Sequence, residues 1–373
     1  MLIGITQGVV MSVLLFRSKN NKRSNPFLAL GILAFSWVST KPLLHTLHLW
    51  DTPFFRYFPN GADLAIAPLL YLYLVSLIDP EFRFSRKHII HFIPFILLQG
   101  YLMFIYFSLV GTSDVVMKDQ IANSLYFNPV KDLESHGAAL SSVVYLILSF
   151  KKFREYREWL SNTISDSSFP EFKWIKQLLL LCLAIGAFLI FNYSADLLFD
   201  LNRITDLHWT IFSLFGAFSI YYLGIAGYKL PNYELKLQED VAVLSSKKDL
   251  STLKKTAPSQ RDTEIVKVIN DALKKDKVFL NPTLNIQELS RKLSLPQQEI
   301  SQVINAHFHK KFRDLINEYR VEEVKKMLHS EKMSHMSILG VALECGFNSE
   351  ATFYRIFKKN TGLSPKEYRR QSA

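Results

Sequence analysis

Glu350, Ala351, Tyr354, Arg355 and Lys358 recur at intervals of one, three and four near the C-terminal end of the chain, which places them on one face of a helix. A guanidinium and an ammonium on one exposed stripe suit nucleic acid, and Arg355 is the best placed for a guanine edge or a phosphate. The other face carries Phe353, Ile356 and Phe357, which point into a core. Ser349 stands where it can cap this helix, and Gly346 permits a turn with φ above zero. Ile338, Val341 and Ala342 mark a shorter supporting helix just before that turn. Helix, tight turn and second helix form the geometry in which the N-terminal part of the second helix meets base edges.

A second stripe lies upstream. Ile286, Leu289 and Leu293 recur at helical spacing, Ser294-Leu295-Pro296 interrupts, and Gln297 opens a helix whose Ile300, Val303, Ile304 and Phe308 face inward. Its other face shows Gln297, Gln298, Ser301, Gln302 and Asn305. Amides of this kind pair bidentately with adenine, and an ordinary solvated face reads the same way, so both readings stand. Between the stripes, residues 312–329 place Phe312, Leu315, Ile316, Tyr319, Val324 and Leu328 on one face. As a helix this segment reaches about 27 Å, close to the roughly 34 Å between successive major grooves.

The elements before residue 229 have a different solvent. Apolar runs occupy residues 26–50, 61–78, 88–110, 135–150, 174–199 and 208–228. Six such runs in succession leave a water-soluble protein almost no surface helices, so they are expected to span a membrane. Residues 1–16 are taken as a seventh span, since no basic residue precedes the apolar stretch and no small-residue cleavage site follows it.

Charge orients the spans. The loops after the first, third and fifth carry Arg17, Lys19, Lys22 and Arg23, then Arg83, Arg86 and Lys87, then Lys151, Lys152, Arg154, Arg157 and Lys173. The alternate loops hold Arg56, then Lys118 and Lys131, then Arg203. Basic loops stay in the cytoplasm, which puts the N-terminus outside and residue 228 inside. Lys41, His45, His48, Asp63, His136, Asn192, Asp196 and His208 then fall in the outer half. Ionisable groups in a span are costly, so Lys41, Asp63 and Asp196 are the candidates for a signal pocket, with simple headgroup contact as the alternative for those near span ends.

Residues 229–262 are polar and rich in lysine, and read as a linker with one short helix expected at 233–244. The basic excess follows the same division. Residues 1–228 hold 18 Lys and Arg against 15 Asp and Glu, whereas residues 229–373 hold 26 against 18. The excess of 8 in the second part fits an anionic partner. Cys182 and Cys345 read as small buried hydrophobes, and His88 and His91 lack a third ligand, so no metal or cofactor is expected. No phosphate-binding glycine loop, zinc-protease motif or nucleophile elbow is present, and catalysis is not expected.

Residues 263–370 resemble the DNA-binding domain of the AraC family of bacterial transcription regulators. The resemblance rests on Gly346-Phe347-Asn348-Ser349, Phe353, Arg355, Phe357-Lys358, Gly362, Ser364-Pro365 and Tyr368-Arg369. It implies two helix-turn-helix units joined by a helix, and regulation at promoters. His309 stands where the family often has glycine, and Gln302 where arginine is common. The first part resembles the seven-span heads of some AraC-like regulators in Gln7-Gly8 and in residues 221–228, a match that supplies no ligand.

The expected protein is all-α: a seven-helix transmembrane bundle (1–228), a linker (229–262) and a cytoplasmic double helix-turn-helix domain (263–373). Its partners would be double-stranded DNA, the lipid bilayer, a small-molecule or membrane signal and a second copy of the chain. A transporter or enzyme with a regulatory helix-turn-helix module, a constitutively anchored repressor, and a module that contacts protein in place of DNA are the alternatives.

Overall fold

The computed structural model describes residues 2–79, 81–165, 170–199, 201, 207–231, 260–329 and 336–371. The expected linker, with its helix at 233–244, lies outside the described residues except at its two ends. Among the described residues all named elements are helical, with one isolated antiparallel bridge between Ile164 and Asn285. The chain divides into two units, residues 1–153 with 171–239, and residues 154–170 with 240–373.

The first unit contains α1 (Leu2–Arg17), α2 (Asn25–Val38), α3 (Thr40–Thr46), α4 (Asp63–Ile78), α5 (Arg86–Ile89), α6 (Ile93–Leu109), α7 (Val115–Ser124), most of α8 (Phe127–Thr163), most of α9 (Pro170–Phe199) and α10 (Leu207–Tyr228). Helices α1, α2, α4 and α10 pack together. Close approach is possible because α1 presents Gly4, Gly8 and Ser12 on one face, and all three are buried. A Cβ on Gly8 would sit 2.9 Å from a methyl of Ile220, while the Ser12 hydroxyl donates to the Ala29 carbonyl at 2.9 Å. Small residues and a hydroxyl bond are how helices hold together where lipid removes the usual hydrophobic drive.

Among the described residues, five stretches are long and apolar enough to cross a membrane: Asn25–Thr46, Arg86–Leu109, Phe127–Thr163, Lys173–Asp196 and Leu207–Tyr228. Leu2–Arg17 and Asp63–Ile78 are apolar but shorter, at 16 residues each, about 24 Å as helices. The run at 26–50 is broken at Ser39, between α2 and α3. Large side chains such as Leu97, Phe107, Ile147 and Phe191 are exposed on the outside of the unit.

The loop that leads to α4 is tied to α7. Arg56 donates to both carboxylate oxygens of Asp119 at 2.8 and 2.7 Å, and the Tyr57 hydroxyl donates to the same carboxylate at 2.8 Å. The Arg56 bond holds the Asp119 carboxyl below its ordinary range, while burial and then the neighbouring carboxylate push the Tyr57 phenol up to about 12.

The second unit contains α11 (Gln260–Lys274), α12 (Ile286–Leu293), α13 (Gln297–His307), α14 (Phe312–Leu328), α15 (Ile338–Glu344), α16 (Glu350–Thr361) and α17 (Pro365–Gln371). One core gathers Ile265, Ile269, Leu289, Ile300, Ile304 and Phe312; another gathers Val324, Val341, Ala342, Phe353, Ile356 and Phe357. Helix α14 feeds both, through Phe312, Leu315 and Ile316 to the first and Val321 and Val324 to the second. Cys345 is fully buried, and burial pushes its thiol up to about 12, in keeping with a small hydrophobe. Cys182 is partly buried on an apolar helix, less enclosed than Cys345.

Residues 154–163, expected as part of a loop, continue α8 and fold with the second unit. Arg313 donates to the carbonyls of Ile164 and Leu160 at 3.1 and 3.2 Å, so a guanidinium closes the C-terminal end of a 37-residue helix.

Candidate nucleic-acid interface

The second helix pair is built as its residue types require. The Ser337 hydroxyl accepts from the Gly340 N–H at 3.0 Å to start α15, and Ser349 accepts from Thr352 at 3.3 Å to start α16. Gly362, at φ +77°, ends α16 in the left-handed conformation. Between the helices Gly346 sits at φ +87°. A Cβ there would lie 2.6 and 2.8 Å from the carbonyl oxygens of Phe279 and Leu280, so both the conformation and the space exclude a side chain. Gly346→Ala is expected to destabilise the second unit by about 2 kcal/mol or more. Thermal unfolding of the variant should show it, and a midpoint within a degree of the parent would contradict the packing described.

On α16, Glu350, Ala351, Arg355 and Lys358 are exposed, while Thr352, Phe353, Ile356 and Phe357 are buried. Tyr354 is half-buried, with its ring edge-on to Phe353 at 5.2 Å between centroids. Four of the five residues expected on the stripe thus reach solvent together, and Tyr354 flanks them.

On α13 the arrangement differs. Ile300, Val303 and Ile304 are buried and Phe308 packs beside them. Gln298 is exposed, and Gln297, Gln302 and Asn305 are partly so. Ser301 is 6% exposed and therefore does not belong to the open face on which it was expected. Helix α13 is flanked by α11, α12 and α14, and three neighbours bury a wider arc than its apolar residues mark. His309, the position where glycine was expected from the resemblance, holds φ +50°, so the chain keeps the left-handed turn with a costlier residue.

Arg320, on α14, is a residue that the sequence reading passes over. It is 2% exposed, and it donates to the carbonyls of Phe279 and Asn281, each at 2.7 Å, and to the Ser165 hydroxyl at 3.2 Å. Its Nε lies 3.0 Å from the place a Cβ on Gly346 would occupy. The guanidinium thus anchors the segment after α11 beside the turn that orients α16. No apolar periodicity signals a buried arginine of this kind.

The three residues expected to form a signal pocket divide. Lys41 and Asp63 meet at 2.5 Å. Asp196 is engaged by His208 and Trp209 of α10, each donor at 2.8 Å. Lys131, expected as an outer-loop charge, and Glu134, both of α8, lie close enough to act electrostatically on Lys41 and Asp63. His88 and His91 stack with ring centroids 6.5 Å apart, and among the described residues no three His, Cys, Asp or Glu side chains converge as a metal site.

Residues 289–371 match the family described as a helix-turn-helix domain. The chain is 30% identical over 104 residues to the "Probable transcription factor PqrA" of Proteus vulgaris, which covers 27% of this chain and 83% of that protein. It is 42% identical over 60 residues to the "Uncharacterized HTH-type transcriptional regulator YijO" of Escherichia coli strain K12, 16% of this chain and 20% of that protein. No solved structure matches the chain. Through the matched C-terminal segment, with its capped helices, tight glycine turn and basic exposed stripe, the chain belongs to the AraC-like family of helix-turn-helix transcription regulators.

Proposed function

We propose that the protein is a membrane-embedded transcription regulator that reads DNA with two helix-turn-helix units, and that its bundle couples a membrane or extracytoplasmic signal to promoter binding. The observation that carries the DNA reading is the stripe of Glu350, Ala351, Arg355 and Lys358, solvent-exposed on a helix whose opposite face is locked into a core. Gln297, Gln298, Gln302 and Asn305 would serve the first unit, and α14, 17 residues or about 26 Å long, would space the two.

Membrane embedding is supported by five long apolar helices whose large side chains face outward. Surface of that kind needs lipid or protein to cover it. The two shorter helices, α1 and α4, would complete seven spans, and the alternating basic loops would then leave the second unit in the cytoplasm. A single helix, α8, contributes residues to both units; Arg313 holds its last turn and Arg320 bonds Ser165 just beyond it. A signal that favours one state of the bundle would act on DNA binding only if the two states differ in affinity, and α8 is the element through which such a difference would pass.

Labelling of single cysteines placed at residues 20 and 371 in sealed spheroplasts tests the topology. Both should resist a membrane-impermeant maleimide until the cells are opened. Labelling of either in sealed spheroplasts would contradict the cytoplasmic assignment.

A further inference from the structure

We propose that the end of α8 is a strap that locks the two helix-turn-helix pairs, α12–α13 and α15–α16, into one reader, so that seating it favours two-site DNA binding and lifting it frees one pair from the other. The lock centres on residues 278–285, the segment between α11 and α12. Both helix pairs lean on it. For the first, the Asn285 side chain caps α12 by accepting from the Glu288 N–H at 2.9 Å. For the second, Asn348, in the turn before α16, donates to the Pro282 carbonyl at 3.0 Å, and the Gly346 turn packs against the carbonyls of Phe279 and Leu280. A segment with only a single 3-10 turn, Val278–Leu280, keeps its shape through outside bonds of this kind.

The end of α8 supplies a third hold on the same segment. Ile164 pairs with Asn285 as an antiparallel bridge, and the Ser165 N–H donates to the Leu284 carbonyl at 3.3 Å. The Ser165 hydroxyl also donates to that carbonyl, and it accepts from Arg320 at 3.2 Å. Arg320 in turn bonds the Phe279 and Asn281 carbonyls, so strap, segment and α14 form one network. Arg313 takes the carbonyls of Leu160 and Ile164, where a helix end leaves acceptors open. Tyr156, Leu160 and Ile164, four residues apart, form a buried stripe along this end of the helix.

Two modules joined rigidly bind a double site far better than either alone, because the second contact forms at high effective concentration, and loosening the joint removes most of that advantage. Lifting the strap should therefore lower affinity for a double site and spare each half. The inference rests on DNA reading by two helix pairs, and it names the contact through which the first unit would regulate that reading.

The test uses the full chain in nanodiscs and two variants that act on opposite sides of the contact. Leu160→Asp puts a charge into the buried stripe, and Arg313→Ala removes two bonds to the helix end. The probes are the genomic fragment that the parent retains most strongly, the same fragment with either half of its footprint scrambled, and one with about five base pairs, half a helical turn, inserted between the halves. The parent should bind the intact fragment at least about tenfold more tightly than any altered one. In each variant, affinity for the intact fragment should fall by about tenfold or more, affinity for the half-scrambled ones should stay within about twofold, and the penalty for the insertion should drop below about threefold. A loss shared equally by intact and half-scrambled fragments marks unfolding and would overturn the proposal, as would unchanged binding of the intact fragment by either variant. A parent that binds no better for having the second half would overturn reading by two helix pairs, and the strap with it, before any variant is made.

Discussion

Replacing Arg320 by alanine should destabilise the second unit by about 3 kcal/mol or more, the largest effect expected of any single change in it. Bonds from a charged donor to buried acceptors contribute about 1.5–3 kcal/mol each, and the carbonyls of Phe279 and Asn281 would both lose theirs. The space left by the side chain adds a cavity term. In a unit of this size the midpoint of thermal unfolding should fall by roughly 10 °C. Arg320→Lys should recover little, since an ammonium lacks the planar fork that reaches two carbonyls at once. Hydrogen exchange of the α14 amides in the full chain reports the change locally, and a loss below about 1 kcal/mol would contradict the anchoring role. Arg320 and Gly346 are neighbours, so their substitutions should not add.

Arg355→Ala should weaken selected DNA sites by about 5- to 150-fold, the range of 1–3 kcal/mol that a lost base or phosphate contact commonly costs. Stability should change by less than about 0.5 kcal/mol, because Arg355 is exposed and its helix is held from the other side by Phe353, Ile356 and Phe357. The pattern of loss separates the two contacts. Relaxed preference at one base position indicates guanine, whereas uniform weakening with a shallower salt dependence indicates phosphate. An unchanged footprint would remove Arg355 from the interface.

Helical periodicity made the second unit legible. Phe353, Ile356 and Phe357 on one side and Glu350, Arg355 and Lys358 on the other follow the 3.6-residue repeat, and the structure keeps them there. Ser349 and Gly346 were legible for a similar reason, since cap and turn chemistry is local. What depends on distant partners was not. Ser301 differs in type little from its stripe neighbours, and only the packing of α11, α12 and α14 around α13 shows it buried. Arg320 acts on carbonyls about forty residues upstream, and in sequence it is an ordinary helical arginine.

In the first unit, charges at the flank of an apolar run read as headgroup contacts. Lys131 counted there only as a loop charge and Glu134 carried no signal, and the fold brings both beside Lys41 and Asp63. The tail of α8 was hidden by its own composition, because Lys151, Lys152, Arg154 and Arg157 make a helix look like a loop to a reading tuned for apolar periodicity.

The central claim is that a chain carrying a bilayer-exposed bundle selects particular DNA sequences. Its most direct test is capture of genomic fragments by the full chain in nanodiscs, repeated over a salt series. The same few fragments should be retained throughout, with affinity falling linearly in log–log form as salt rises. Equal affinity for all fragments at every salt concentration would contradict it.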